Sequence, residues 1–417
     1  MIGYSLAVSL LEPLRGRSFR ALATGRTLAT FANAVAPVAL AFAVLDLTGS
    51  AVDLGLVVGV RSVANVALVL FGGVLADRLP RSVIMQGTEA AAAITQGALA
   101  VSVLCGFASI PFLVGLSAVN GAVAAISLPA AAAITPQTVS RGRLSQANAL
   151  LRLLTNTGRV AGAGVAGIVV AVAGSGWAVA VNALLFLAAA VAYRGIRLPR
   201  GARVEASHPI ADLIAGWHEF RSRAWVWIVV VQFAFVNAAG LGTLVVIGPV
   251  VADETFGRTG WGLALAIETV GSIFGGLIAA RWQPRRAMFV GVLLVMTEAL
   301  PMFSLGLWPA LVPLLLTMAL AGLTMEQFSV IWDVSLQENI PEDRLARVYS
   351  YDVLGSLAAM PIGQIAAGPL VEHLGREPVL LGCGVLIVMA TLLALSSRQV
   401  RGLVRRRPVA ADTAPAT

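Results

Sequence analysis

Lysine is missing from this chain: all 29 basic residues among its 417 are arginine. A phosphate-binding P-loop needs its lysine, and Schiff-base chemistry needs a lysine amine. Neither ATP hydrolysis on such a loop nor a lysine-bound cofactor is therefore open to it. Cysteine and histidine are scarce as well. Cys105 and Cys383 each sit inside an apolar run and read as neither disulfide partners nor metal ligands, and three scattered histidines offer no zinc spacing. With no histidine-containing constellation and no nucleophile elbow, no enzyme, cofactor or metal is expected. Charged residues make up only 12% of the chain, about half the share usual in soluble domains.

What fills the space is apolar: 58% of the residues are hydrophobic, in runs of the roughly 20 residues that cross a bilayer core. The chain reads as an all-α membrane protein with twelve spans. They fall at about 20–45, 53–76, 82–106, 109–137, 146–173 and 176–193, then 224–251, 260–281, 287–307, 309–333, 345–370 and 378–397. This divides the molecule into a six-helix bundle (1–193), a polar connector (194–223), a second six-helix bundle (224–397) and a basic, disordered tail (398–417). The first residues form a cytoplasmic lead-in rather than a cleaved signal. Part of the connector, "PIADLIAGWHEFRSR", is amphipathic enough to lie on the inner membrane surface.

Arginine placement sets the expected orientation. With both termini cytoplasmic, 23 of the 29 arginines lie in or beside cytoplasmic segments, only Arg258 and Arg376 lie outside, and four fall within spans. The net charge of +8 is then a topology signal, and no nucleic-acid partner is expected.

The halves repeat. Gly72 and Gly73 match Gly275 and Gly276 at an offset of 203, and Arg143, Leu144, Gly162, Gly167 and Gly174 match Arg344, Leu345, Gly363, Gly368 and Gly375 at 201. Six spans per half make these parallel repeats, a layout that binds substrate near the midplane between the halves.

The stretch Gly73-Val-Leu-Ala-Asp77-Arg78-Leu-Pro-Arg81 resembles the loop 2–3 signature of the major facilitator superfamily. Pro80 replaces its second glycine and Ser82 its last basic residue. The stretches "ITPQTVSRGRLSQANALLRLL" and "VSLQENIPEDRLARVYS" resemble the efflux branch typified by the enterobactin exporter. The resemblance implies the major facilitator fold, with spans 1, 4, 7 and 10 lining a central cavity. It also implies that Gly73, Asp77, Arg78 and Arg81 form a gating motif. Asp77 would meet the positive N-terminal end of span 11 near Arg344 and latch the inner gate in the outward-open state. The repeat carries Ala280 instead of an acid, so only one of the two symmetric latches would be charged. The plain alternative is a set of loop charges with no switching role.

"GAGVAG", Gly162 to Gly167, matches a dinucleotide fingerprint but lies inside an apolar run without the required strand. Gly162, Gly164 and Gly167 are expected to serve close helix packing. Ala163 stands where antiporters of this superfamily carry proline.

Charges inside the membrane are costly and face water or a partner. Arg61 and Asn65 share a face of span 2, and Glu268 lies at similar depth on span 8, so a cross-half Arg61–Glu268 ion pair is one expectation. By the resemblance, Glu326 is the best-placed acid in the cavity wall. Arg26, Asn33, Asn120, Gln232 and Asn237 are candidate cavity residues, and Glu89 and Glu298 are expected to be partnered structural acids. Burial raises a carboxyl pKa and a nearby arginine lowers it, so moving an arginine between conformations would load or release a proton. Glu326 or Glu268, and then Asp352, are candidate carriers, with Arg61 as a charged partner. Permanent ion pairing is the alternative for each acid.

The expected function is a secondary active transporter in the cell membrane. It would export a drug-like or siderophore-like small molecule by proton antiport and alternating access, as a monomer among lipids. Proton-coupled uptake by symport and a transport-dead scaffold or sensor are the alternatives.

Overall fold

The computed structural model describes residues 12–78, 80–197, 217–218, 220–282 and 284–403. Within these, it describes the side chains except those of 69–78, 128–130, 132–133, 141, 145, 342–343 and 346–347. The lead before Glu12, most of the connector with its amphipathic stretch, and the tail past Leu403 lie outside the described residues.

Among the described residues, twelve long helices alternate in direction. The first half contains α1 (Arg17–Thr48), α2 (Ala51–Arg78), α3 (Arg81–Leu104), α4 (Ile110–Ile134), α5 (Leu144–Ala173) and α6 (Ser175–Tyr193). The second contains α7 (Ala224–Glu254), α8 (Arg258–Ala279), α9 (Ala287–Leu307), α10 (Leu311–Asn339), α11 (Glu342–Leu357 and Met360–Leu374) and α12 (Arg376–Ser396). The end carrying residues 17 and 396 is the base and the opposite end the top.

Eleven of these helices are long and apolar enough to cross a membrane. The exception, α3, carries Gln86, Thr88, Glu89, Thr95 and Gln96 among its apolar residues. Most of this polarity is turned inward: Thr88, Glu89, Thr95 and Gln96 are buried while Ile94 and Val101 on the opposite face are exposed. Exposed apolar residues such as Ile94, Val172 and Leu393 are what a lipid-facing surface requires. Inside, lipid offers no hydrophobic force to hold helices together, so small residues and close backbones do it.

Helix contacts repeat between the halves. The pairs α2–α4, α3–α6, α1–α5 and α1–α6 correspond to α8–α10, α9–α12, α7–α11 and α7–α12. The glycines explain the match. Gly121 of α4 sits on the carbonyl of Arg61 in α2, and Gly322 of α10 on that of Glu268 in α8. At the top, Gly174 (φ 91°, ψ 164°) and Gly375 (φ 85°, ψ 158°) make the same left-handed turn, which residues with a side chain rarely adopt.

Three helices are interrupted. α7 widens into a π turn over Asn237–Gly242, where Ala239, Gly240 and Gly242 are buried. α9 tightens to a 3-10 turn over Val295–Glu298, and α11 breaks before Met360 and Pro361. These breaks fall within spans expected to be continuous, and α10 runs past 333 to Asn339.

Candidate functional site

The two halves meet along α5–α8 and α2–α11, with smaller contacts of α7 on α1 and α2. Glycines make the approach close near the top. A Cβ on Gly167 would lie 3.0 Å from the Arg258 carbonyl oxygen, and one on Gly262 would lie 2.6 Å from that of Ala163. Gly55 and Gly59 pack on Gln364 and Ile365, and Gly368 on Val52. Gly162 packs within the first half, against Phe31 and Ala34 of α1. Gly164 departs from expectation: a Cβ there would meet nothing within 4 Å. Two residues on from Gly162 it has turned by about 200° and points away from α1.

Above these contacts lies an ion cluster that sequence reasoning missed. Arg258, opening α8, reaches Asp46 near the end of α1 at 2.7 Å and Asp253 of α7 at 2.6 Å. Ser175 Oγ donates to Asp46 at 2.6 Å, and the guanidinium lies 4.9 Å from the centre of the Phe42 ring. The only signal was negative, since Arg258 is one of two arginines that break the positive bias. Toward the base, the Glu12–Arg143 ion pair stays within the first half, and the Ser18–Arg197 and Arg223–Asn339 hydrogen bonds tie the two ends of the connector to the first and second halves. Among the described residues, the cross-half ion pair thus lies at the top.

At mid-depth, Arg61 and Glu268 do occupy equivalent positions, as their matching glycines show, yet they do not pair. Arg61 Nε donates to Asn120 Oδ1 at 3.0 Å inside the first half. Glu268, half-buried, interacts electrostatically with Arg159 of α5 across the interface and with Glu298 of α9. Among the described residues neither Arg61 nor Arg159 forms an ion pair with Glu268; Arg159 acts on it only at longer range.

A polar cavity of about 300 Å³ lies within the first half, lined by Asn33, Arg61, Asn65, Thr88, Glu89 and Asn120, with Phe186 and Ala92 among its apolar walls. Sequence reasoning named Asn33, Arg61 and Asn120 but set Glu89 aside as a partnered acid. No hydrogen bond or ion pair of the Glu89 carboxyl is found among the described residues.

The remaining candidates lie apart. Arg26 Nη1 donates to the Ala131 carbonyl of α4 at 3.3 Å. Gln232 is buried against α12, donating to Thr391 at 3.0 Å, and Asn237 donates to the Ser356 carbonyl at 2.8 Å. Glu326 packs against Gly276 of α8. Asp352 accepts from Trp332 at 2.8 Å and from Ser356 at 3.3 Å. The side chains of Gly73, Asp77 and Arg78 lie outside the described residues, though their backbone ends α2; Arg81 opens α3.

Comparison with known proteins agrees with this architecture. The chain is 25% identical over 393 residues to the multidrug efflux pump Tap of Mycolicibacterium fortuitum, covering 89% of this chain and 93% of that one. It is 24% identical over 358 residues to the enterobactin exporter EntS of Escherichia coli O81 (strain ED1a), covering 85% of each. Its fold matches the nucleoside transporter NupG (TM-score 0.71, 16% identity, 91% of this chain and 98% of that one). It also matches a bacterial homologue of the human lysosomal transporter Spinster in an inward-facing, unoccupied conformation (TM-score 0.71, 17% identity, 94% and 98%). The Major Facilitator Superfamily model matches residues 22–360. A polytopic chain with two parallel six-helix repeats and this match over most of its length is a transporter, not an enzyme, and belongs to the Major Facilitator Superfamily.

Proposed function

We propose that this protein exports a small drug-like or siderophore-like molecule from the cell in exchange for protons. Its two units, 1–193 and 224–397, would rock about the midplane in the cell membrane as a monomer. The arginine bias argues for a cytoplasmic base, and the Asp46–Arg258 contact at the top then supports an inward-facing reading. Both named exporters, aligned over most of their lengths, argue for efflux as the direction.

One feature supports the proton coupling: Glu268 lies midway along α8, where the charge of Arg159 in the opposite half acts on it. Burial favours the protonated carboxyl and a nearby arginine the ionised one. Rocking along α5–α8 changes that separation, so the carboxyl is protonated when Arg159 is far and gives up its proton when Arg159 is close. Among the candidate acids, Glu268 suits this best. Asp352 is engaged by Trp332 and Ser356, and Glu326 lies between helices of one half. At the base, Asp77 would latch onto the start of α11 once the top opens, with Gly73, Arg78 and Arg81 shaping that turn.

Inside-out vesicles with an acid interior, a pH-sensitive dye and added drugs or siderophores test this reading. Gradient collapse is expected in the native protein and not in Glu268→Gln. Collapse of equal size in Glu268→Gln would remove Glu268 from the coupling.

A further inference from the structure

The polar cavity of the first half has no place in the mechanism above, although it holds a carboxyl with no hydrogen bond or ion pair among the described residues. Glu89 is only 7% exposed and faces the cavity that Arg61 lines, without an ion pair between them among the described residues. An ionised acid buried so close to a guanidinium would be expected to reach it, because an unpaired buried charge is expensive. Instead the Arg61 Nε is turned to Asn120, and Asn120 in turn donates to Thr95 of α3 at 3.4 Å.

Every helix packed around the acid contributes polar groups without closing on it. α1 brings Asn33, whose amide is spent on the Ala29 carbonyl at 2.9 Å. α2 brings Arg61 and Asn65, the latter donating to the Gly121 carbonyl at 3.2 Å, and α4 brings Asn120. On α6, Tyr193 interacts electrostatically with Glu89 and also with Arg26 of α1. The amides are thus spent on backbone carbonyls, on Thr95 and on the arginine, and the carboxyl is left facing open space. The cavity is not sealed and has room for several waters, which provides a route for proton exchange.

We propose that this cavity is a second proton site, with Glu89 as the group that binds and releases the proton and Arg61, fixed by Asn120, as the charge that sets when it does so. Each half then carries one protonatable acid, Glu89 in the first and Glu268 in the second, and a full cycle moves up to two protons. Arg61 lies two residues from Gly59, which packs on Ile365 of α11. Opening of the top therefore frees the helix that holds the arginine. The proposal rests on the proton-coupled reading for its purpose, but the protonation itself can be observed without any transport substrate.

The test is pH-difference infrared spectroscopy of the full-length protein in lipid nanodiscs, reading the carbonyl stretch of protonated carboxyls. Native protein should show a component that disappears as pH rises, absent from Glu89→Gln, retained but displaced in Glu89→Asp, and retained unchanged in Glu12→Gln. Arg61→Gln should move the pH at which that component disappears. A titrating band identical in native and Glu89→Gln protein, both intact by size exclusion, overturns the proposal. Loss of the component in Glu89→Gln while Glu268→Gln leaves the spectrum untouched would uphold this site and count against Glu268. The converse would do the opposite. In vesicles, Glu89→Gln should lower the number of protons released per substrate rather than abolish binding, and an unchanged ratio also overturns it.

Discussion

Gly121 and Gly322 stand 201 positions apart and play the same part, each lying on the backbone carbonyl of a mid-depth charged residue, Arg61 or Glu268. A methyl group at either position would overlap that oxygen, so two backbones rather than a flexible side chain would have to move. Overpacking of this kind costs about 1–3 kcal/mol, and in lipid the close approach is itself the source of helix affinity. Gly121→Ala and Gly322→Ala should each lower the thermal unfolding temperature in detergent. Gly164→Ala, facing open space, should leave it within error. Equal behaviour of all three would mean that the close contacts do not hold the bundle. The same residues show how far the sequence could be read at this scale. That Arg61 and Glu268 match in depth follows from counting residues, but which neighbour each side chain chooses depends on the rotation of α2 and α8, which hydropathy does not report. The expected Arg61–Glu268 pair did not form, since Arg61 turns to Asn120.

At the scale of helices, twelve spans and their order were legible because a bilayer demands long apolar runs and arginine marks one side. The breaks in α7 and α9 were not, since both keep an apolar composition and only local backbone geometry distinguishes them, whereas the break in α11 precedes Pro361, a signal the sequence did carry. α3 shows a different kind of shortfall: its polar residues were visible, but their common inward face emerges only when α4 and α6 are packed beside it. The top cluster was hidden for a related reason. Asp46, Asp253 and Arg258 end or begin three different helices and meet only through the fold. Their ion pairs are partly exposed, with Arg258 at 24% and Asp46 at 35%, so the cluster is worth about 1 kcal/mol rather than the several of a buried pair. That still shifts a two-state equilibrium about fivefold. Asp46→Asn and Arg258→Gln should therefore increase reaction of a membrane-impermeant thiol reagent with a cysteine placed at Ile247, a buried residue below the top. Asp253→Asn, whose partner lies in its own half, should do so less. Unchanged labelling in all three would show that the glycine contacts alone close the top.

For the molecule as a whole, the matching contacts of the two halves imply that each moves as a unit about the α5–α8 and α2–α11 seams. If so, distances at the two ends cannot change independently. Spin labels at Ser50 and Glu377 report across the top, and labels at Gln137 and Arg398 across the base, on a background with Cys105 and Cys383 replaced by serine. Pulsed electron resonance on the native sequence should give a short top distance and a long base distance as the main population. Arg258→Gln should transfer population to a longer top distance, and the same fraction should appear at a shorter base distance, because opening one end of a rigid pair closes the other. Asp77→Asn should act in the opposite sense, depleting the short base population if that aspartate latches the start of α11. Lengthening at the top without shortening at the base would refute rocking of rigid halves. It would point instead to bending within single helices, for which the π turn of α7 and the break in α11 are the natural hinges.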